Sequence, residues 1–286
     1  MTKVLILLLI FVTLIQRIYI YRNSPISYYR FGVGKEYLVA FHGYGQTGAD
    51  YLYYESVLKE KFTVIAIDFF GHGKSQWMES EDFTEFDMRD IVVGIARQEK
   101  IFARKFSVCS FSMGARMARA LVRTFPERIK RVVFIAPPTP AFHYFLNFTV
   151  RTKIGVWLFK LFIKRNNWLS NSVSFLHRIG ILNRAIKIFT TKFISRRERL
   201  NNVFITWYAQ RNLTTNFATF AKLVNQYQIE VVLVIGKFDF ITPSASNVSY
   251  VKKKIRKHKI MELPQKHELQ SVYIAQAANE IFISNL

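Results

Sequence analysis

The sequence predicts an α/β protein, with a mostly parallel central sheet, helices on both faces and an inserted helical cap. Three observations carry this. Apolar runs of five to seven residues alternate with amphipathic stretches at helical spacing over most of the chain. Strands buried on both faces read as near-continuous apolar runs, and joining them in parallel requires crossover helices. The alternation stops between residues 140 and 229, where aromatic, helix-patterned sequence takes over. Half of the 286 residues are hydrophobic, enough for a buried core and too many for a disordered or low-complexity chain.

Residues 4–15 are apolar apart from Thr13 and are flanked by Lys3 and Arg17. A bilayer-spanning helix needs about 20 apolar residues, so this run alone is short. Extended to Tyr21 it reaches 18, with Arg17 able to snorkel and Tyr19 and Tyr21 suited to an interface. More positive charge follows the run than precedes it, so an inserted segment would leave the body cytoplasmic. The same residues read alternatively as a long first strand. Residues 1–22 are therefore set apart as a candidate membrane anchor. A core in two parts, 23–139 and 230–286, encloses a cap at 140–229.

Strands are expected at 26–31 and 37–41, separated by Gly32-Val33-Gly34. A helix at 49–59 leads to a strand at 62–68. Residues 83–99 place Phe86, Ile91, Val92 and Ile95 at helical spacing, and 106–110 is again a strand. A helix over 113–125, with Met117, Ala118, Leu121 and Val122 on one face, is closed by Pro126. A strand at 131–136 ends at Pro137-Pro138. Beyond the cap come strands at 231–235 and 259–263 and a last helix over 267–282, with His267 in the loop at its start. Within the cap, Asn166-Asn167, residues 170–174 and Asn201-Asn202 read as breaks.

The chain carries 41 Lys+Arg against 19 Asp+Glu, formally +22. The cap alone holds 14 basic residues and one acid, Glu198, and so contributes +13. Such a surface favours anionic partners, but charge says nothing about fold. The run Lys252-Lys253-Lys254-Ile255-Arg256-Lys257-His258-Lys259 follows a helical stretch, where cations complement a helix carboxyl end. With no nucleic-acid-binding motif beside it, nucleic acid is disfavoured as a partner. Cys109 is the one cysteine and cannot form an intramolecular disulfide. Scattered histidines and a lone cysteine exclude a zinc-ligand pattern, and no phosphate-binding glycine motif occurs.

The most informative string is Ser110-Phe111-Ser112-Met113-Gly114, running from an apolar strand into a helix. A serine there, with small residues two positions to either side, sits on a tight turn that lifts its hydroxyl above the sheet. Three further motifs stand in order around it: His42-Gly43-Tyr44-Gly45, Asp68-Phe69-Phe70-Gly71-His72-Gly73-Lys74-Ser75, and Gly236-Lys237-Phe238-Asp239 followed by Pro243. With His267 near the carboxyl end, the set resembles the α/β-hydrolase superfamily from about residue 26 onward, apart from the divergent cap. Ser110 stands where the family pattern usually has glycine.

The resemblance implies a nucleophile at Ser112, a general base at His267 and an orienting carboxylate at Asp239, with oxyanion-hole amides from Tyr44 and Met113. The roles agree with the chemistry, because a hydroxyl is weakly nucleophilic until an adjacent base, itself oriented by a third group, accepts its proton. His42 and His72 are expected to brace loops, Asp68 to hold a turn, and Cys109 to be inert on a buried strand. No cofactor or metal is implied.

In such a fold the cap covers the serine. Leu158, Phe159, Leu161 and Phe162 alternate with Lys160, Lys164 and Arg165, a basic amphipathic pattern that suits an anionic membrane surface or a cation-rimmed apolar pocket. The expected substrate is therefore an ester or acyl amphiphile with a hydrophobic tail, cleaved through an acyl-enzyme. The alternatives are another chemistry on this fold, such as C–C cleavage or acyl transfer, and a catalytically silent membrane-associated interaction protein.

Overall fold

Side chains alternate across a strand, and in this chain both sides of that alternation are apolar. Tyr37, Val39 and Phe41 enter one hydrophobic core while Leu38 and Ala40 enter another. The strand at Glu230–Gly236 splits likewise, Val231, Leu233 and Ile235 against Val232 and Val234. Only a sheet covered on both faces buries such sequences. The computed structural model describes residues 15–102, 104–180 and 197–284.

Its sheet has eight strands: β1 (Ile15–Tyr21), β2 (Ser24–Phe31), β3 (Glu36–Phe41), β4 (Phe62–Ile67), β5 (Phe106–Phe111), β6 (Ile129–Ile135), β7 (Glu230–Gly236) and β8 (His258–Leu263). Their order is β1-β2-β4-β3-β5-β6-β7-β8. Strands β3 to β8 pair in parallel, and β2 is antiparallel to both neighbours. After β3 the chain steps to β4 on one side, then returns to place β5 on the other. Loops leaving β3 and β5 therefore diverge, opening a crevice at the carboxyl edge, where ligands bind in open α/β sheets.

One face of the sheet is covered by α2 (Glu85–Gln98), α3 (Ala115–Thr124), α8 (Phe217–Gln226) and α9 (Ser244–Lys254). The other is covered by the turn Gly48–Tyr54 with α1 (Glu55–Leu58) and by α10 (Val272–Gln276) with the turn Asn279–Ile283. Helix α2 starts at a capping box: Thr84 Oγ1 accepts from the Asp87 amide at 3.3 Å, and Asp87 Oδ2 accepts from the Thr84 amide at 2.8 Å. Met88, Ile91, Val92 and Ile95 form its buried face, whereas Phe86 points outward beneath Arg89. The basic run ends α9 as expected, with Lys252, Lys253 and Lys254 in its last turn.

The cap comprises α4 (Pro140–Arg151), α5 (Lys153–Lys164), α6 (Asn166–Arg178) and α7 (Arg197–Ala209). It has its own core, in which Leu146, Val150, Phe159, Leu200, Val203 and Trp207 are buried. At Gly155 a Cβ would stand 2.1 Å from the Phe148 carbonyl oxygen, so only glycine lets α5 pack this closely on α4. A break falls at Arg165, directly before Asn166-Asn167, where α5 ends and α6 begins, but the one expected at 170–174 does not occur, because α6 runs through it. Asn201-Asn202 likewise lies inside α7. Asparagine and serine are only weakly unfavourable within helices, and packing overrides them.

Two further expectations change. The extension of the amino-terminal apolar run to Tyr21 does not form a membrane helix, because Ile15–Tyr21 is the edge strand β1. Arg17, rather than snorkelling, pairs with the buried carboxylate of Glu99 at 2.6 Å. Tyr21 donates its hydroxyl to Asp87 at 2.8 Å, and the Tyr19 ring packs against Gly94. The rest of the candidate anchor lies outside the described residues, among which no helix is long and apolar enough to cross a membrane. The last helix starts at Val272 instead of residue 267, because Ser271 caps it by accepting from the Tyr273 amide.

Candidate active site

Four strand ends deliver the site. Ser112 follows β5 with φ +47°, the left-handed backbone expected of a tight strand-to-helix turn. A Cβ on Gly114 would lie 2.4 Å from the Phe41 carbonyl oxygen, so the turn packs on β3 only because this residue has no side chain. Ser110, on the preceding strand, is fully buried and donates its hydroxyl to the Val133 carbonyl at 3.4 Å. That bond accommodates the serine where the family pattern has glycine.

His267, in the loop after β8, brings Nε2 to 2.9 Å from Ser112 Oγ, and its Nδ1 lies 2.7 Å from Asp239 Oδ2. Asp239 follows β7 and is closely held. Its Oδ1 accepts from the Ile241 and Thr242 amides at 2.8 and 2.9 Å, and its Oδ2 from the Thr242 hydroxyl at 2.6 Å. Burial pushes the Asp239 carboxyl up, but the bond and charge of His267 with the Thr242 bonds outweigh it and hold the group below its ordinary value. An ionised Asp239 accepts Nδ1–H and leaves Nε2 free to accept a proton from Ser112. The ring of Phe111 packs beside the imidazole, with centroids 5.1 Å apart.

Tyr44 and Met113 border the same cavity as Ser112 and His267. The loop carrying Tyr44 is braced from two sides. Gln46 accepts from the Gly43 amide at 3.0 Å, and His72 Nε2 accepts from the Gly45 amide at 3.1 Å. His42 accepts from the Phe69 amide at 3.0 Å through Nε2, and its Nδ1 lies 2.7 Å from the Gly43 carbonyl, to which it donates. Both histidines thus hold loops. Asp68 accepts from Gly48 N at 2.7 Å and from the Ser27 hydroxyl, whereas His267 bonds Asp239. Cys109 is buried on β5, and burial pushes its thiol up to about 12.

The cavity measures about 1070 Å³ and extends from the serine into the cap. Phe142, Leu146, Phe159, Leu200, Val203 and Trp207 line it from above. Sequence reasoning missed three contributors. Thr242 has a local signal, since an Asp with acceptor reach to the amides two and three residues on forms a turn that places the third side chain beside it. Arg116 and Arg119 also line the cavity, and their i, i+3 spacing puts them on one face of α3. Among the described residues no cluster of His, Cys, Asp and Glu could hold a metal ion.

Comparison with known proteins agrees with this architecture. No curated protein sequence matches the chain. Among solved structures, a thermophilic esterase from Thermogutta terrifontis is similar with a TM-score of 0.60 at 17% identity, over 93% of this chain and 97% of that one. A haloalkane dehalogenase from Bradyrhizobium elkani gives 0.62 at 14%, over 94% and 97%. An enol-lactonase from Burkholderia xenovorans gives 0.56 at 17%, over 92% and 97%. Likenesses at such identities speak for the fold alone. The sequence profile of the α/β hydrolase fold matches residues 37–272, which is most of the chain and spans all four motifs, so the chain belongs to the α/β-hydrolase fold family.

Proposed function

We propose that this chain is a serine hydrolase that cleaves a carboxylic ester or related acyl bond whose acyl group is hydrophobic. The observation that carries the reading is the relay Ser112–His267–Asp239, with contacts of 2.9 and 2.7 Å, opening into an apolar cavity. Ser112 Oγ attacks the carbonyl carbon as His267 Nε2 takes its proton. The developing oxyanion accepts from the Met113 and Tyr44 amides, a contribution of roughly 3–4 kcal/mol per donor by analogy with other hydrolases. Collapse expels the alcohol, which takes the proton from His267. Water, deprotonated by the same imidazole, then releases the acid. Asp239 keeps the imidazole in the Nδ1–H form and stabilises its cation.

A fluorophosphonate probe tests this, because it reacts with activated serines. Folded wild-type protein is expected to label and Ser112→Ala protein to remain unlabelled; an unlabelled wild type refutes the mechanism. With p-nitrophenyl esters, kcat/KM is expected to rise from acetate toward medium chains, since each buried methylene contributes about 0.8 kcal/mol. Acetate greatly outperforming longer esters would exclude a hydrophobic acyl pocket.

The outer face of the cap supports delivery of such substrates from an anionic lipid surface. Ile154 and Trp157 are 65% and 62% exposed, and Lys153, Lys160 and Lys164 beside them are also exposed. Apolar side chains amid lysines suit an interface with acidic headgroups. Co-sedimentation with phosphatidylserine vesicles is expected, weakening as salt is raised and in Trp157→Ser protein. Equal partition to pure phosphatidylcholine would count against it.

A further inference from the structure

Two cations lie beneath the cap with no carboxylate paired to them among the described residues. Arg116 and Arg119 leave α3 one and two turns beyond Ser112, and each is 3% exposed. Among the described residues neither forms an ion pair. Glu85 is the acid whose charge reaches both, but its Oε1 is taken by the amide and hydroxyl of Thr215 and its Oε2 by Arg123. Buried charges are ordinarily paired, and uncompensated ones are costly.

The hydrogen bonds around them do not balance either. Arg116 donates to Asn147 Oδ1 at 3.2 and 3.3 Å and to the Gln210 and Leu213 carbonyls at 2.9 Å each. Arg119 Nη2 lies 3.2 Å from His143 Nδ1, which must accept because a guanidinium only donates. Burial, with the charges of Arg119 and Arg116, lowers His143 to about 3, so the ring is neutral and its proton sits on Nε2. Yet Nε2 lies 3.1 Å from Asn147 Nδ2, also a donor. Flipping the amide would face its NH₂ toward Arg116 instead. Whichever way Asn147 points, one donor meets another, and the Nε atoms of Arg116 and Arg119 also lack an acceptor. The cluster has an excess of positive charge and is short of acceptor oxygens. Water could supply an acceptor but no charge.

Arg116, Arg119 and His143 line the same cavity as Ser112. At 1.5 Å rise per residue the two arginines begin roughly 6 and 10 Å along the helix from the serine, the reach of a short acyl chain. We infer that Arg116, Arg119 and His143, with Asn147 in contact with two of them, form a subsite for a carboxylate carried on the acyl part of the substrate, so that the preferred substrates are half-esters of dicarboxylic acids. The carboxylate supplies both the missing charge and the missing acceptors, and the apolar cavity holds the methylenes between it and the scissile carbonyl. This rests on the ester-hydrolase reading for the scissile group, but the subsite is measurable without turnover.

The test is calorimetric binding to Ser112→Ala protein of monoethyl succinate, glutarate, adipate and suberate, each against its neutral diethyl ester. For the best-fitting length the half-ester is expected to bind about tenfold or more tighter, the range of a charge-assisted hydrogen bond. In Arg119→Met that ratio should fall toward one, and in Arg119→Lys, which keeps the charge without the fork, it should be intermediate. Equal binding of half-esters and diesters overturns the subsite whether or not any arginine variant folds. So does a ratio undiminished in folded Arg119→Met. Serine labelling without this selectivity would sink the subsite alone. Selectivity without labelling would sink the hydrolase reading and leave an anion-binding cavity.

Discussion

Replacing Ser112 with alanine is expected to reduce kcat toward p-nitrophenyl esters by about 10⁴–10⁶-fold, with little change in KM. In the proposed mechanism the hydroxyl forms the acyl bond, whereas the cavity above it supplies the substrate affinity. Asp239→Asn is expected to reduce kcat by roughly 10⁴-fold. Asparagine can turn its NH₂ toward Nδ1, favouring the tautomer whose Nε2 carries the proton and cannot accept one from the serine. Thr242→Val should have a smaller effect, since it removes one of four hydrogen bonds to Asp239 while those from the two amides and from His267 remain. The double variant Ser112→Ala, Asp239→Asn should be little slower than Ser112→Ala alone, because the residues act as one unit. Steady-state kinetics on the four proteins check this. Independent, multiplying effects would mean that Asp239 does not act through the serine.

Acid is expected to unfold this protein readily. Burial lowers His42 and His72 to about 4, with the neighbouring His42 charge adding to the effect at His72, and His143 falls to about 3. Each folded-state value lies below the ordinary 6.5. Between pH 6.5 and about 4 the unfolded chain therefore binds up to three more protons than the folded one. The stability these groups contribute is full above pH 6.5 and is lost as pH falls toward the folded values. Each proton is worth about 1.4 kcal/mol per pH unit. Allowing for the partial exposure of His72, the loss between pH 7 and 5 is about 3–5 kcal/mol, a large share of a typical domain's stability. Asp68 opposes part of this, because burial raises its carboxyl, while Asp239, held low, adds to the loss only in stronger acid. Denaturant melts at pH 7, 6 and 5 measure the slope. A flat profile would show that these imidazoles are not buried neutral. Because His72 accepts from Gly45 and His42 donates to Gly43, the Tyr44 loop should be among the first parts to loosen.

Much of the molecule was legible in local pattern. Apolar runs bounded by glycine and proline marked seven of the strands to within a residue or two, because burial on both faces leaves a dense signal. The eighth, β1, was obscured: Ile15, Ile18 and Ile20 continue the upstream apolar run, and nothing local shows that Arg17 meets Glu99, 82 residues later. Two of the cap breaks misled for a related reason, since Ser170 and Asn201 speak only to weak intrinsic preferences, which helix packing overrides.

By itself the sequence determined the strand and helix periodicities, the serine turn, the order of the chemical residues and the basic character of the cap. These depend on neighbours a few positions apart. Only the tertiary structure decided that Ser112, Asp239 and His267, spread over 155 residues, touch in a single relay. It alone also showed that Arg116, Arg119 and His143 share a buried cluster that has no ion-pair partner among the described residues. The physical reason is common to both. A hydrogen bond or an unpaired charge is a property of distances between side chains, and those distances exist only once crossover helices have brought remote strand ends to one edge of the sheet.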